Sequence, residues 1–112
     1  MMGSIKVTGL NELTLGLKKK VNLDAVKKVV KQNGTELQRE AQRNAPVDTG
    51  TLKRSIALEI ADSGTAAIVE PTVEYAPYVE FGTRFMEAQP YLRPAFNEQK
   101  EKFKKDMKKL VE

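Results

Sequence analysis

The first long pattern in the chain is helical, because apolar residues repeat every three or four positions between residues 24 and 43. The residues on this face are Val26, Val30, Leu37 and Ala41. A helix is therefore predicted, beginning at Asn22 or Asp24, both good N-cap residues. Gly34 falls on the apolar face, where glycine costs about 1 kcal/mol relative to alanine. Because the pattern resumes in phase at Leu37, we expect a continuous helix with another element packed closely against Gly34.

A second helical pattern occupies the last part of the chain. Its apolar stripe consists of Leu92, Phe96, Phe103, Met107 and Leu110. Lysines lie off this stripe, and those near its end suit the negative pole of a helix dipole. Pro94 lies near the expected first position, where a missing N–H is tolerated. The pattern predicts a second long amphipathic helix.

Between the two helices the pattern changes to an alternation of apolar and polar residues, which is typical of strands. Ile56 to Ile60 predicts one strand, Asp62-Ser63-Gly64 a turn, and Ala66 to Glu70 a return strand ended by Pro71. Val73 to Tyr75 is expected to add a short extended piece. Near the start of the chain, Ser4 to Thr8 predicts a further short strand, followed by a brief helix that begins at Asn11.

A turn joins the first helix to the strands. Pro46 has no N–H to donate and restricts the residue before it, so the helix must end there. Asp48 and Thr49 are able to accept bonds from nearby backbone N–H groups, and Gly50 is free to take a positive φ. We expect Pro46, Asp48, Thr49 and Gly50 to form a structural turn that fixes the long helix against the sheet.

These elements together predict an α+β fold. A small antiparallel β-sheet would pack against two long amphipathic helices on one of its faces. We expect a single domain over residues 1–112, with residues 1–4 as a flexible start.

Composition narrows the classes of function. The chain of 112 residues has no cysteine and no histidine, which removes thiolate metal sites and histidine-based catalysis. No metal, cofactor or catalytic residue is predicted. A hydrolase in which Lys53 activates Ser55 is conceivable, although packing of Ser55 after a turn is far more common. No apolar run approaches the ~20 residues that a membrane span needs.

Charge is distributed unevenly along the chain, whose formal net charge is +4. Residues 17–43 and 100–112 are basic, whereas residues 45–99 are acidic. Three interpretations remain open: two solvated helical faces, nucleic-acid contact through the basic helices, or head-to-tail contact between a basic and an acidic face of neighbouring subunits.

A segment rich in aromatic residues follows the strands. It contains more than half of the chain's tyrosines and phenylalanines, at Tyr75, Tyr78, Phe81 and Phe85. Pro77 is expected to open one helical turn there and Gly82 to end it. In one interpretation Tyr78, Phe81 and Phe85 are core residues. In the other, Tyr75, Tyr78, Phe81, Arg84 and Phe85 form a subunit interface, where aromatic residues are enriched.

Three motifs together carry a resemblance to a known family. They are Ala-Pro-Val-Asp-Thr-Gly-Thr-Leu-Lys-Arg-Ser-Ile (45–56), Tyr-Ala-Pro-Tyr-Val-Glu-Phe-Gly-Thr (75–83) and Gln-Pro-Tyr-Leu-Arg-Pro-Ala-Phe (89–96). In this order and spacing, with a basic helix on each side, the chain resembles the small head–tail joining, or tail-completion, proteins of long-tailed bacteriophages and prophages. These proteins are often labelled minor tail or head–tail connector components. The resemblance covers about residues 5–110.

The resemblance implies a structural virion protein of the phage neck and not an enzyme. It implies a ring, of six subunits in the virion, that joins or completes the tail at the head–tail interface. Its partners would be copies of itself, a neighbouring connector or stopper protein, and the tail terminator or tail tube. Phage DNA would pass through the lumen without sequence-specific binding. The protein would occupy the host cytoplasm during assembly and then the virion, with no membrane contact.

The resemblance also suggests roles for the segments. The segment from Tyr75 to Arg84 would pack between the core and a neighbouring subunit. The loop from Phe81 to Gln89, or the loop after Gly50, would reach the next ring. The alternative from another class is a small basic nucleic-acid-binding domain, which would bind DNA tightly and in a salt-dependent manner as a monomer.

Overall fold

The computed structural model describes residues 5–8, 22–46 and 50–111. The elements, in chain order, are β1 (Ile5–Thr8), α1 (Leu23–Asn44), α2 (Thr51–Ser55), β2 (Ile56–Ala61), a 3₁₀ turn (Asp62–Gly64), β3 (Ala66–Pro71), α3 (Ala76–Phe81) and α4 (Leu92–Val111). The fold is α+β, as the sequence predicts, with a small antiparallel sheet and two long helices.

The sheet has three strands in the order β1-β3-β2, and both pairings are antiparallel. In the hairpin, Ile56 pairs with Pro71, Leu58 with Val69, and Ile60 with Ala67, so these six residues share one face. Helix α1 covers that face. Burial decreases along β2, from Ile56 at 2% exposure to Ile60 at 41%.

Helix α1 is continuous, and its cap is the predicted one. The side chain of Asn22 accepts hydrogen bonds from the backbone N–H groups of Asp24 and Ala25, at 2.9 and 3.3 Å. Gly34 lies where α1 meets the sheet. A Cβ atom at this position would lie 2.7 Å from the Cβ of Ala67 and 3.1 Å from Leu58. The glycine therefore permits the close approach of α1 and β3 that the sequence predicts.

Helix α4 packs along α1 in the opposite direction, and its apolar stripe faces the core. Buried polar groups join the two helices. Asn33 is fully buried and donates from Nδ2 to Asp106 at 3.0 Å, while Gln99 donates to the carbonyl oxygen of the Asn33 amide. Glu36 accepts hydrogen bonds from Gln99 and Lys102. We call these five residues the polar seam.

The polar seam shifts the pKa of one of its carboxylates, that of Glu36. Partial burial raises the pKa of Glu36, but hydrogen bonds from Lys102 and Gln99 and the positive charge of Lys102 lower it by more, so its pKa lies below the usual value. A seam of this kind fixes the register of the two helices, because each partner is satisfied only in one alignment.

One expectation about local structure was wrong, one short helix was not predicted, and two expectations fall outside the described residues. Residues 51–55 form a short helix, α2, that the sequence analysis did not include. Val73 to Tyr75 is a turn rather than an extended piece, since the backbone N–H of Ala76 bonds to the carbonyl of Val73 at 3.2 Å. The brief helix predicted from Asn11, and Asp48 and Thr49 of the predicted turn, lie outside the described residues.

Candidate interaction surface

The short helix α3 turns its aromatic residues outward. Ala76 and Glu80 are buried, whereas Tyr78 and Phe81 are 58% and 49% exposed. Tyr75, immediately before the helix, is 43% exposed. These three aromatic residues are spaced three positions apart, so they lie along one side of the helix. The result is an outward row of apolar side chains on an element of only six residues.

Glu80 holds α3 in this orientation. Its buried carboxylate accepts three backbone hydrogen bonds, from Tyr91 at 3.2 Å, Leu92 at 2.9 Å and Arg93 at 3.3 Å. These N–H groups form the start of α4 and have no carbonyl partner within that helix. The negative charge also lies at the positive end of the helix dipole. Glu80 therefore caps α4 and, in the same contact, directs the opposite side of α3 toward solvent.

The loop after α3 is held tightly against the helix. Thr83 and Met86 exchange backbone hydrogen bonds at 2.8 and 3.3 Å, and the N–H of Gln89 bonds to the carbonyl of Val79 at 2.8 Å. Gly82 has a φ of +78°, and a Cβ atom there would lie 2.7 Å from the backbone nitrogen of Ala88. Glycine is required at this position for both its backbone conformation and its space.

Phe85 lies at the tip of this loop and is 90% exposed. Its backbone N–H bonds to the Thr83 hydroxyl at 3.1 Å, which fixes the turn. The guanidinium carbon of Arg84 lies 5.5 Å from the centre of the Phe85 ring, a cation–π distance. We call Tyr75, Tyr78, Phe81 and Phe85 the aromatic ridge.

The interpretation of Tyr78, Phe81 and Phe85 as core residues is therefore wrong. The buried aromatic residue of this region is Tyr91, which is fully enclosed beside Glu80. Soluble monomers rarely expose several large apolar side chains on one small element unless the surface has a function. The exposure of the ridge is compatible with the other interpretation, in which these residues form a subunit interface.

Tyr91 is buried without a hydrogen bond for its hydroxyl, the only such side-chain atom among the described residues. Burial, and after it the negative charge of Glu80 and the neighbouring Tyr75, raise the pKa of Tyr91 to about 12. The backbone of Tyr91 bonds to two other elements. Its N–H donates to Glu80 on α3, and its carbonyl accepts a hydrogen bond from the side chain of Asn44 on α1 at 3.3 Å. Tyr91 therefore links α1 to the base of the ridge.

The other predicted site residues occupy ordinary structural positions. Pro46 follows the end of α1, and Gly50 takes a φ of +77° directly before α2. The hydroxyl of Ser55 donates to the carbonyl of Leu52 at 2.7 Å within α2, and Lys53 is exposed. The roles of Glu80 and Tyr91 do not follow from the sequence pattern, since the partners of Glu80 lie 11–13 residues further along the chain.

The fold and the surface together define a small α+β protein that presents a rigidly supported apolar surface. Comparison with known families identifies it more closely. Residues 11–82 match the HK97-gp10-like family model, described as "Bacteriophage HK97-gp10, putative tail-component". The match spans more than half of the chain, and the chain belongs to this family of phage tail components.

The match includes α1, the hairpin and α3, and it ends at Gly82, before the loop and α4. No curated protein and no solved structure matches the chain. None of the described helices is both long and apolar enough to cross a membrane.

Proposed function

We propose that this protein is a structural component of the phage neck, which forms a ring of six subunits and joins or completes the tail at the head–tail interface. The observation that carries the proposal is the aromatic ridge, because it is apolar, exposed and rigidly supported. Neighbouring copies of the protein cover the ridge in the ring. In this proposal the protein acts through assembly and has no catalytic role.

Three features support the ridge as a contact between subunits. Its side chains are aromatic, the type that contributes most to binding energy in protein interfaces. Glu80 fixes the helix beneath it, so little conformational entropy is lost on binding. Arg84, beside Phe85, supplies a charged residue at the edge of the ridge, where interfaces become polar.

A ring in the phage neck would also contact the proteins on its two sides. A connector or stopper protein would contact one side of the ring, and the tail terminator or tail tube the other. Phage DNA would pass through the lumen without sequence-specific contacts. The protein would be present in the host cytoplasm during assembly and in the neck of the finished virion.

The experiment is to measure the mass of the purified protein across a concentration range by sedimentation, and to image the same samples by negative-stain electron microscopy. Closed rings whose mass is six times that of the subunit are expected at the higher concentrations. A protein that stays monomeric throughout, and gains mass only when DNA is added, would overturn the proposal in favour of a nucleic-acid-binding domain.

A further inference from the structure

A groove lined by apolar and acidic residues lies next to the aromatic ridge. It is formed where β3 ends and α3 begins, and Pro71, Val73, Ala76 and Pro77 supply its apolar lining. Two acidic residues, Glu70 and Glu74, also line it. We call these six residues the acidic groove.

The two carboxylates of the acidic groove lack a cationic partner. Among the described residues, neither Glu70 nor Glu74 forms an ion pair or a side-chain hydrogen bond. Glu70 is half-buried and Glu74 is exposed. A groove lined by apolar residues and two carboxylates suits a lysine side chain, whose aliphatic stem packs on apolar surface while its ammonium group meets a carboxylate.

Two lysines of α4 carry positive charges that complement the two carboxylates of the acidic groove. Lys105 and Lys108 are exposed, and at 100° per residue they lie on the side of α4 away from its buried stripe. Within the described part of the chain neither of them has a carboxylate partner, whereas Lys102 is paired with Glu36. We call Lys105 and Lys108 the lysine pair.

The lysine pair and the acidic groove of one subunit are far apart. Glu80, near the groove on α3, holds the first residues of α4 through their backbone N–H groups. From Leu92 the helix then rises by about 20 Å to Lys105 and about 24 Å to Lys108, at 1.5 Å per residue. The acidic groove and the lysine pair of one subunit therefore cannot satisfy each other internally.

We propose that the acidic groove of one subunit binds the lysine pair of a second copy of this chain, a contact that rests on the ring assembly proposed above. Such a contact joins two different surfaces, so it is heterologous and repeats from subunit to subunit until the ring closes. It also sets the direction of assembly, because two acidic grooves or two lysine pairs repel each other. The aromatic ridge, next to the groove, supplies the apolar part of the same interface.

A charge-swap experiment tests the contact. One variant carries E70K and E74K, and the other carries K105E and K108E. Each variant alone is expected to self-associate at least tenfold more weakly than the wild type in sedimentation at low salt. An equal mixture of the two is expected to recover wild-type association, because each basic groove then meets an acidic helix end and the subunits alternate around the ring.

The control is K28E with K31E, which makes the same charge change on two exposed lysines of α1. This variant is expected to associate like the wild type, and circular dichroism checks that every variant is folded. The contact is wrong if either swapped variant associates normally, or if folded variants fail to recover on mixing. If the wild type itself never associates, the ring proposal fails as well, so the two failures are distinguishable.

Discussion

The polar seam between α1 and α4 and the aromatic ridge on α3 are opposites in their chemistry. The seam places an amide, Asn33, fully inside the protein, where it donates to the carbonyl of Val29 and to Asp106, both at 3.0 Å. The ridge places a phenylalanine, Phe85, almost fully in solvent. A buried polar group that is hydrogen-bonded needs no external partner, whereas a cluster of exposed apolar groups gains free energy only when another surface covers it.

We therefore expect the two regions to have separate roles. Mutations in the seam are expected to change the free energy of unfolding of the subunit. Mutations in the ridge are expected to change association while they leave the subunit folded. Glu80 connects the regions, because it caps α4, which carries three of the five seam residues, and orients α3, which carries two of the four ridge residues. The predictions below test this division, from the largest expected effect on stability to the smallest.

Substituting Glu80 by alanine is expected to have the largest effect. It leaves three backbone N–H groups at the start of α4 without an acceptor in a buried site, and the free energy of unfolding should fall by about 3 kcal/mol. Urea unfolding followed by circular dichroism measures this change. Glu87, an exposed carboxylate in the nearby loop, provides the control, and its alanine variant should match the wild type. Equal stability of both variants would show that the cap contributes nothing.

Substituting Asn33 by alanine is expected to cost about 2 kcal/mol. The change removes the donor to Asp106 and one acceptor of Gln99, so Asp106 loses its bond to α1 while Gln99 retains only its bond to Glu36 among these contacts. The same unfolding experiment applies, with the exposed Lys28 on the same helix changed to alanine as the control. A loss of less than about 0.5 kcal/mol would mean that the seam does not contribute to stability.

Substituting Tyr91 by phenylalanine should leave stability unchanged or raise it by about 1 kcal/mol, since the buried hydroxyl that it removes has no hydrogen-bond partner. A pH dependence sharpens the test. The pKa of Tyr91 is about 12 in the folded protein and ordinarily 10.0, so the unfolded state loses its proton first. The neutral tyrosine therefore makes its full contribution to the free energy of unfolding below pH 10, and this contribution declines as the pH rises toward 12.

The phenylalanine variant should lack this part of the alkaline decline, which unfolding measured between pH 9 and pH 11.5 can detect. A clear loss of stability at neutral pH in the variant would instead show that the hydroxyl has a partner. That partner would then have to be an ordered water molecule or a residue outside the described part of the chain.

Sequence patterns were sufficient for the long elements of this fold. Helix α1 follows from a periodic apolar face that stays in phase across Gly34, and the hairpin follows from alternation on each side of a turn. Helix α2 was missed because five residues are too few to show a helical period. Val73 to Tyr75 was expected to add a short extended piece to the strands. The sheet pairing ends instead with the Thr72 N–H bound to the Ser55 carbonyl, and the chain then turns.

The candidate site was harder to predict, because it reverses the usual distribution of residues. Charged side chains are rarely buried and aromatic ones often are, yet here Glu80 lies inside and Phe81 outside. The cause is a tertiary contact, since the N–H groups at the start of α4 require an acceptor and Glu80 supplies it from another part of the chain. A sequence window around α3 does not contain Leu92, so local pattern alone could not orient the helix.

The most direct test of the account compares the wild type with the double variant Y78A/F81A. Sedimentation measures self-association and urea unfolding measures stability on the same samples, with exposed Leu23 changed to alanine as the control outside the ridge. The account predicts that the double variant loses at least tenfold in association while its free energy of unfolding stays within about 0.5 kcal/mol of the wild type. A double variant that assembles like the wild type would contradict the account.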